Sequence, residues 1–163
     1  MIRFFNDIAI FENMIKITYP QYSYKIKEEQ GRELIFDTSR KIWVRLTPEE
    51  WVRQNFLQYL LQTMLYPGAL IAVEKELQLG ELKKRFDILV YDGNHLPWMM
   101  IECKSMEVQL DDKVLTQVLR YHIAIPVPYL VITNGSYCAA FEKAHGRLNP
   151  ITALPVYYSA AGN

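Results

Sequence analysis

The central segment of the chain, residues 83–105, reads KKRFDILVYDGNHLPWMMIECKS. Two apolar runs, 86–91 and 98–101, flank an Asp-Gly-Asn turn at 92–94. Apolar runs of this length around a turn of this composition are typical of a β-hairpin. We therefore predict two paired strands that are short and largely buried.

Three ionisable residues lie in or directly after these runs, where an unpaired charge is costly. Because side chains alternate along a strand, Glu102 and Lys104 should point to one face, roughly 7 Å apart along the chain, while Cys103 points to the other. Asp87, on the paired strand, lies about 5 Å away laterally and can face the same way. We expect two carboxylates and one ammonium group over one small patch.

A patch of this composition suits Mg²⁺, which takes oxygen ligands at about 2.1 Å and keeps positions for water and a phosphate oxygen. With Lys104 beside it, such a site would generate hydroxide and stabilise an attacked phosphodiester. The alternative interpretation is a cross-strand ion pair in which Arg85 or Lys104 neutralises Asp87. An acid two residues before a lysine also occurs at Glu81 and Asp111, so the spacing alone leaves both interpretations open.

Length and composition are those of one globular domain: the chain has 163 residues, and half of them are hydrophobic. The formal net charge is zero, so any nucleic acid would be held by local basic clusters such as 40–41 and 83–85. The two cysteines form no disulfide framework, and neither a signal-peptide pattern nor an apolar run of ~20 residues occurs. We expect a reduced, cytoplasmic protein that does not span a membrane.

The first part of the chain mixes aromatic and charged residues without a sustained period. Alternation at 15–19 and 22–26 favours short strands or an arm packed on the body, and Gln-Gly at 30–31 favours a turn. We predict an N-terminal extension over residues 1–40, packed on a main domain over residues 41–163 as one globular unit.

A helix start is encoded by Thr-Pro-Glu-Glu at 47–50, with threonine as the N-cap and proline at the first helical position. We predict a helix from residue 48 to about 65, stopped by Tyr-Pro-Gly at 66–68. Arg53 and Gln54 fall off its apolar stripe and are expected to be solvated, with a phosphate contact from Arg53 as the alternative. The stripe comprises Val52, Phe56, Tyr59, Leu60 and Met64.

A strand is predicted over residues 69–79, with Gly80 turning the chain into the central hairpin. Glu74 lies inside this strand, so it either joins the acidic patch from the neighbouring strand or forms an ion pair with Arg85. Alternation places Glu74 on one face and, on the other, Ile71, Val73 and Leu77.

A second helix is predicted from residue 111 to about 123, with acids at its start that match the macrodipole. Gln117 and Tyr121 stand four residues apart on one flank of that helix. Their polar tips would point at the acidic patch, at a bound phosphate or at solvent.

The last predicted strands, 129–133 and 136–141, flank Asn-Gly at 134–135, a tight-hairpin signal. The order helix, three strands, helix, two strands indicates an α/β (α+β) protein with a mixed sheet: an antiparallel meander, then a helix that crosses to a further strand. No Gly-x-x-x-x-Gly-Lys-Ser/Thr loop occurs, which excludes an ATP motor of that type within the chain. The three histidines are isolated, so the sequence supports neither a zinc site nor a triad.

Together these features resemble the N-terminal nuclease domain of type I restriction enzyme R subunits, in a free-standing form, and through it the PD-(D/E)xK restriction-endonuclease-like superfamily. The resemblance covers roughly residues 40–140. Phe86 replaces the proline of the superfamily's name, at a position that varies. The matching segments are 43–54, 66–67, 73–74, 84–88, 101–104, Gln117 with Tyr121, and 133–135.

The resemblance implies a restriction-endonuclease-like αβββαβ core and Mg²⁺-dependent hydrolysis of DNA, with RNA as an alternative substrate and Mn²⁺ as a substitute metal. By the same resemblance, Asp87 and Glu102 would bind the metal with the backbone carbonyl of Cys103, and Glu74 matches a further acid of the pattern. Lys104 would orient or activate the attacking water.

The resemblance also assigns supporting residues and partners. Gln117 and Tyr121 match a Gln-x-x-x-Tyr feature that supports the site in part of the superfamily. Sequence-specific restriction would require separately encoded motor and specificity partners, and a homodimer is a further expectation. The rival interpretations are a catalytically silent nucleic-acid-binding or assembly module on the same fold, and another metal-dependent phosphohydrolase.

Overall fold

The computed structural model describes residues 13–158; the predictions for residues 1–12 and 159–163 lie outside this range. Within it, a seven-stranded mixed sheet, a three-stranded sheet and two α-helices confirm the predicted α/β class. None of the described helices is long and apolar enough to cross a bilayer. The elements are β1 (Ile15–Lys16), β2 (Ile26–Glu29), β3 (Arg32–Asp37), β4 (Ile42–Arg45), α1 (Pro48–Gln58), β5 (Ile71–Leu79), β6 (Leu82–Tyr91), β7 (Pro97–Cys103), α2 (Asp112–His122), β8 (Tyr129–Thr133), β9 (Tyr137–Ala144) and β10 (Arg147–Ile151).

The central hairpin forms as predicted, with β6 and β7 antiparallel and Ile88 opposite Ile101. Its loop is closed by Asp92, whose side chain accepts hydrogen bonds from the backbone N–H groups of Asn94 (2.8 Å) and Leu96 (3.0 Å). β5 pairs antiparallel with β6 through the turn at Gly80 (φ +62°). The predicted meander is therefore confirmed; β5 starts two residues later than expected because Gly68–Leu70 forms a short 3₁₀ turn.

The crossover is also confirmed, because α2 connects β7 to a parallel neighbour, β8. β8 continues through the predicted tight turn into antiparallel β9. The resulting strand order is β1-β9-β8-β7-β6-β5, with β10 also paired to β9. The parallel pair β7–β8 thus lies in the interior of the large sheet.

Both helices begin at side-chain caps. The Thr47 hydroxyl accepts a hydrogen bond from Glu50 N (3.1 Å), and the Asp111 carboxylate accepts one from Val114 N (2.9 Å). After α1 the chain continues as a π-helical turn over Tyr59–Thr63, close to the predicted helix end.

The two helices pack on opposite faces of the large sheet. The buried hydrophobic residues form two clusters, one under each helix. The cluster that we call the α1 cluster contains Phe56 of α1 and Ile101 of β7. The α2 cluster contains Leu119 of α2 and Met100, which directly precedes Ile101 in β7. Neighbouring residues of β7 therefore enter different cores, as side-chain alternation requires. Glu102 and Lys104 on one side and Cys103 on the other follow this same alternation.

β5 changes face at Glu74, whose φ is +54°. Ile71 and Val73 pack in the α1 cluster before this point, but Leu77 packs in the α2 cluster after it. The expectation that these three apolar residues share a face is therefore wrong, because a left-handed residue breaks the alternation. β6 also changes face around Asp87, because Phe86 packs in the α2 cluster and Ile88 in the α1 cluster. Glu74 and Asp87 lie between the paired positions Val73–Ile88 and Lys75–Phe86.

The small sheet consists of β2, β3 and β4, and the predicted turn at Gln30 and Gly31 (φ +52° and +70°) joins its first two strands. β3 ends at Asp37 and β4 begins at Ile42, so this sheet includes residues on both sides of residue 40. The division of the chain into an extension and a main domain at that point stays a prediction.

Candidate active site

Three acids from neighbouring strands form what we call the acidic patch: Glu74 of β5, Asp87 of β6 and Glu102 of β7. Asp87 is tied to β7 because its Oδ2 accepts a hydrogen bond from the backbone N–H of Cys103 at 2.7 Å. Its side chain is only 12% exposed. The irregularity of β5 and β6 at Glu74 and Asp87 therefore coincides with the patch.

Lys104 lies directly after β7, with its Nζ 3.6 Å from Glu102 Oε1. Its backbone N–H donates to the carbonyl of Thr133 at 2.8 Å, which anchors it to the end of β8. Cys103 turns its side chain into the α1 cluster, as predicted, and burial raises the pKa of its thiol. The structure thus brings Asp87, Glu102 and Lys104 together around the backbone of Cys103.

The two central carboxyl groups titrate differently. Burial, and then the charge of Glu102, raise the pKa of Asp87 to about 6 against the opposing effects of Arg53 and the Cys103 N–H. Burial also acts upward on Glu102, but its interactions with His122 and Lys104 outweigh burial and lower the pKa of Glu102. Near neutral pH Asp87 is therefore ionised although burial and the charge of Glu102 disfavour its charged form. A bound cation would stabilise that charged form.

Arg53 of α1 is buried against the acidic patch, which contradicts the expectation that it is solvated. Its side chain is 8% exposed, not solvated, and its Nη2 lies 2.7 Å from both Asp87 Oδ1 and Glu74 Oε1. Its Nη1 forms an ion pair with Glu50 one turn earlier. Arg53, rather than Arg85 or Lys104, is thus the cation bonded to Asp87. The Glu50–Arg53 spacing of three is the one local signal for it, because such residues are neighbours on a helix.

Gln54 is also buried, which contradicts the expectation that it is solvated. Its side-chain amide donates to Asp37 Oδ2 and to Glu50 Oε1, both at 2.9 Å. Arg40 binds the same two acids through its Nε (2.7 Å) and Nη2 (3.1 Å). These residues form a connected set, the α1 polar network, which runs from the small sheet to the acidic patch: Asp37, Arg40, Glu50, Arg53 and Gln54.

For Glu74 the structure combines both interpretations. The side chain forms an ion pair with Arg85, and it also shares Arg53 Nη2 with Asp87. Arg85 is largely exposed, so its pairing with Glu74 lies at the solvent edge of the patch. Glu74 is therefore part of the acidic patch through Arg53.

On α2 the side chain that reaches the patch is His122, although the three histidines are isolated from one another in the sequence. His122 is 3% exposed and its Nε2 lies 3.8 Å from Glu102 Oε2. Among the residues that the structure describes, its buried Nδ1 has no hydrogen-bond partner. Its position follows from the helical spacing that buries Leu115, Leu119 and His122 together, a pattern that was available in the sequence.

Gln117 and Tyr121 lie instead on the exposed side of α2, where both line a surface groove. The Tyr121 ring is covered by Lys84, whose Nζ lies 3.0 Å from the ring centroid. Within residues 13–158, no hydrogen bond or ion pair connects either side chain to the acidic patch. A supporting role for these two residues stays a prediction.

The donor set fits a hard cation better than a soft one. In the described range, no group of three or more His, Cys, Asp or Glu side chains is arranged so that it could hold a metal ion, so any ion would rest on fewer side chains. Asp87 and Glu102 supply two carboxylates, and Mg²⁺ is commonly held by one or two carboxylates, with water and substrate phosphate completing its shell. A carboxylate has about four lone-pair sites, so the two hydrogen-bond donors on Asp87 leave it further acceptor capacity.

Comparison with known proteins places the chain in a family. The family model described as "Type I restriction enzyme R protein N terminus (HSDR_N)" matches residues 48–155, which is more than half of the chain. The chain therefore belongs to that family, and its membership links it to restriction systems. No curated protein and no solved structure matches the chain. Membership of the wider PD-(D/E)xK superfamily stays a prediction.

Proposed function

We propose that this protein is a Mg²⁺-dependent nuclease of a restriction system that hydrolyses phosphodiester bonds of DNA. The observation that carries this proposal is the convergence of two carboxylates, Asp87 and Glu102, with Lys104 at neighbouring strand positions. Family membership supports DNA as the substrate. RNA is the alternative substrate, and Mn²⁺ would substitute for Mg²⁺.

Each residue of the proposed site has a distinct role. Asp87, Glu102 and the Cys103 carbonyl would hold the metal ion, which when bound acidifies water and draws charge from the phosphoryl oxygens. Lys104, 3.6 Å from Glu102, would orient the attacking water and offset the negative charge that builds on the phosphate. In the proposed reaction the water oxygen would form a new P–O bond and release a proton to solvent, while the P–O bond to one sugar oxygen would break and that oxygen would take up a proton. Arg53 keeps the Asp87 carboxylate in place.

The first test compares wild type with Asp87→Asn and Lys104→Ala on supercoiled plasmid, linear duplex and single-stranded DNA and RNA, each with Mg²⁺ or Mn²⁺. We expect cleavage to fall by about 10²-fold or more in both variants, because each loses a group that acts on the transition state. Glu76→Gln is the matched control: this exposed acid of β5 pairs with Lys83 and should leave cleavage unchanged. Circular dichroism should show all three variants folded.

A second candidate function, a catalytically silent nucleic-acid-binding or assembly module, is favoured by one observation. Both oxygens of Asp87 already accept hydrogen bonds, one from Arg53 and one from the Cys103 N–H, as in a structural ion pair. If wild type binds DNA without cutting it, and Asp87→Asn loses stability instead of activity, this candidate is correct. Hydrolysis of nucleotides but not polynucleotides would instead indicate another metal-dependent phosphohydrolase.

The proposed nuclease would work with partners. Sequence-specific, ATP-driven restriction requires a motor and a specificity component, which we propose are supplied by other chains. A homodimer is the simplest arrangement that would cut both strands of a duplex. Sedimentation of the protein with and without duplex DNA measures both the self-association and the DNA complex.

A further inference from the structure

One guanidinium nitrogen lies between two acids of the patch. Arg53 Nη2 is 2.7 Å from Asp87 Oδ1 and 2.7 Å from Glu74 Oε1, and Arg53 Nη1 is bonded to Glu50. The other cations near the patch are placed less centrally: Lys104 forms an ion pair with Glu102 at 3.6 Å, and Arg85 is 66% exposed. A buried, permanent positive charge thus lies at the point where three acids of different elements meet.

We propose that Arg53 is the internal counter-ion of the acidic patch, which holds Asp87 and Glu74 together and competes with a divalent cation for Asp87. The inference rests on the proposed function, because it takes the divalent cation from there. It adds that the affinity of the site for metal is set by Arg53 as well as by the ligands. Arg53 is in this sense a positioning residue, which acts through Asp87.

The physical argument concerns uncompensated charge. Removing one partner of a buried ion pair is strongly destabilising, because the remaining charge stays buried without compensation. Without Arg53, Asp87 would keep the Cys103 N–H but would lose its bonded cation. A divalent cation would then meet a more negative patch and no competing guanidinium. The metal-free protein should be less stable, and the stabilisation by bound metal should be larger.

The experiment compares melting temperatures in EDTA and across a Mg²⁺ or Ca²⁺ titration for wild type, Arg53→Met and Arg40→Met. Arg40 is the matched control, because it is an arginine of the same network that binds Asp37 and Glu50 but neither Glu74 nor Asp87. We expect both variants to melt below wild type in EDTA. Only Arg53→Met should bind the cation more tightly, by about tenfold, and show a larger metal-induced rise.

The outcomes separate this inference from the proposed function. Equal metal-induced rises in wild type and Arg53→Met would overturn the counter-ion role and leave the metal site intact. The absence of a rise in every protein would overturn the inference together with the metal site. If Arg53→Met does not fold, Arg53→Lys replaces it: one ammonium cannot reach Glu50, Glu74 and Asp87 as the guanidinium fork does, so its cation affinity should still exceed that of wild type. An affinity equal to wild type would overturn the inference.

Discussion

Asp87 and Glu102 illustrate how two carboxyl groups on adjacent strands acquire different properties. Burial and the charge of Glu102 raise the pKa of Asp87 to about 6, whereas contacts with His122 and Lys104 outweigh burial and lower the pKa of Glu102. The pair therefore takes up its first proton on Asp87. Environment, rather than residue type, separates the two groups.

The first prediction concerns pH. Below pH 6 Asp87 becomes a neutral acid, so Mg²⁺ affinity should fall by about tenfold for each pH unit, because each metal ion must displace one proton. Isothermal titration with Mg²⁺ or Mn²⁺ from pH 5 to pH 8 measures this dependence. Affinity that stays constant across this range would contradict the assignment of Asp87 as a ligand.

As pH falls, the contribution of Asp87 to the free energy of unfolding of the metal-free protein should rise, whereas the Mg²⁺ affinity should fall. A loss of metal binding at low pH can therefore be told apart from unfolding. The folded-state pKa of Asp87 lies above its ordinary value of 3.8, so the metal-free folded protein binds this proton more tightly than the unfolded chain does. The contribution of Asp87 to stability therefore rises as pH falls through 6 and is complete below about pH 3.8. Asp87→Asn should lack this rise in urea unfolding between pH 7 and pH 5.

At the scale of elements, the turn between β8 and β9 packs closely against α1. Gly135 has φ +94°, and a Cβ at this position would lie 3.3 Å from Val52 Cγ2 of α1. The Asn134 side chain closes the same turn by accepting from the N–H groups of Ser136 (3.2 Å) and Tyr137 (3.0 Å). A side chain at Gly135 would therefore strain the backbone and push against the helix that carries Arg53.

The second prediction is that Gly135→Ala destabilises the protein by about 1–3 kcal/mol, because alanine disfavours a positive φ and the new methyl group contacts Val52. Urea unfolding measures the change. Gly93→Ala is the matched control: its turn has open space around the glycine, so its stability should lie within about 0.5 kcal/mol of wild type. Equal stability of both variants would show that α1 accommodates the added methyl group.

At the scale of the whole molecule, the α1 polar network joins the small sheet to the large one. Asp37 at the end of β3 has no exposed side-chain surface and accepts bonds from Arg40 and Gln54. Burial alone would raise the pKa of Asp37, but the hydrogen bonds from Arg40 and Gln54 outweigh it and lower that pKa. The carboxylate therefore stabilises the fold above about pH 4, and this stabilisation is lost as pH falls through the lowered pKa.

The third prediction is that Asp37→Ala lowers the free energy of unfolding by about 3–5 kcal/mol at pH 7, because Arg40 and Gln54 lose a buried partner. The difference from wild type should shrink as pH falls below the lowered pKa of Asp37. Glu28→Ala, an exposed acid of β2 in the same small sheet, is the control and should change stability by less than about 0.5 kcal/mol. A pH-independent difference would contradict the electrostatic role of Asp37.

Several features were determined by the sequence itself because they depend on short-range physics. The central hairpin, the Thr47 cap, the turns at Gly80 and Gly135 and the opposite facing of Glu102 and Cys103 follow from alternation, capping and turn chemistry. These rules act within a few residues. They were enough to bring Asp87, Glu102 and Lys104 into one neighbourhood.

Only the tertiary structure decided which other side chains complete that neighbourhood. Arg53 and Gln54 lie beside the apolar stripe of α1, and periodicity alone predicts that such residues are solvated. They are buried because α1 packs against acids of other elements, Asp87 and Asp37. The change of face at Glu74 likewise depends on contacts between distant elements. Helical spacing turns His122 inward, but its pairing with Glu102 depends on how α2 packs on β7. Local periodicity predicts which residues of a helix or strand lie on the same side. It does not predict their polar partners, because these belong to other elements that pack against that side.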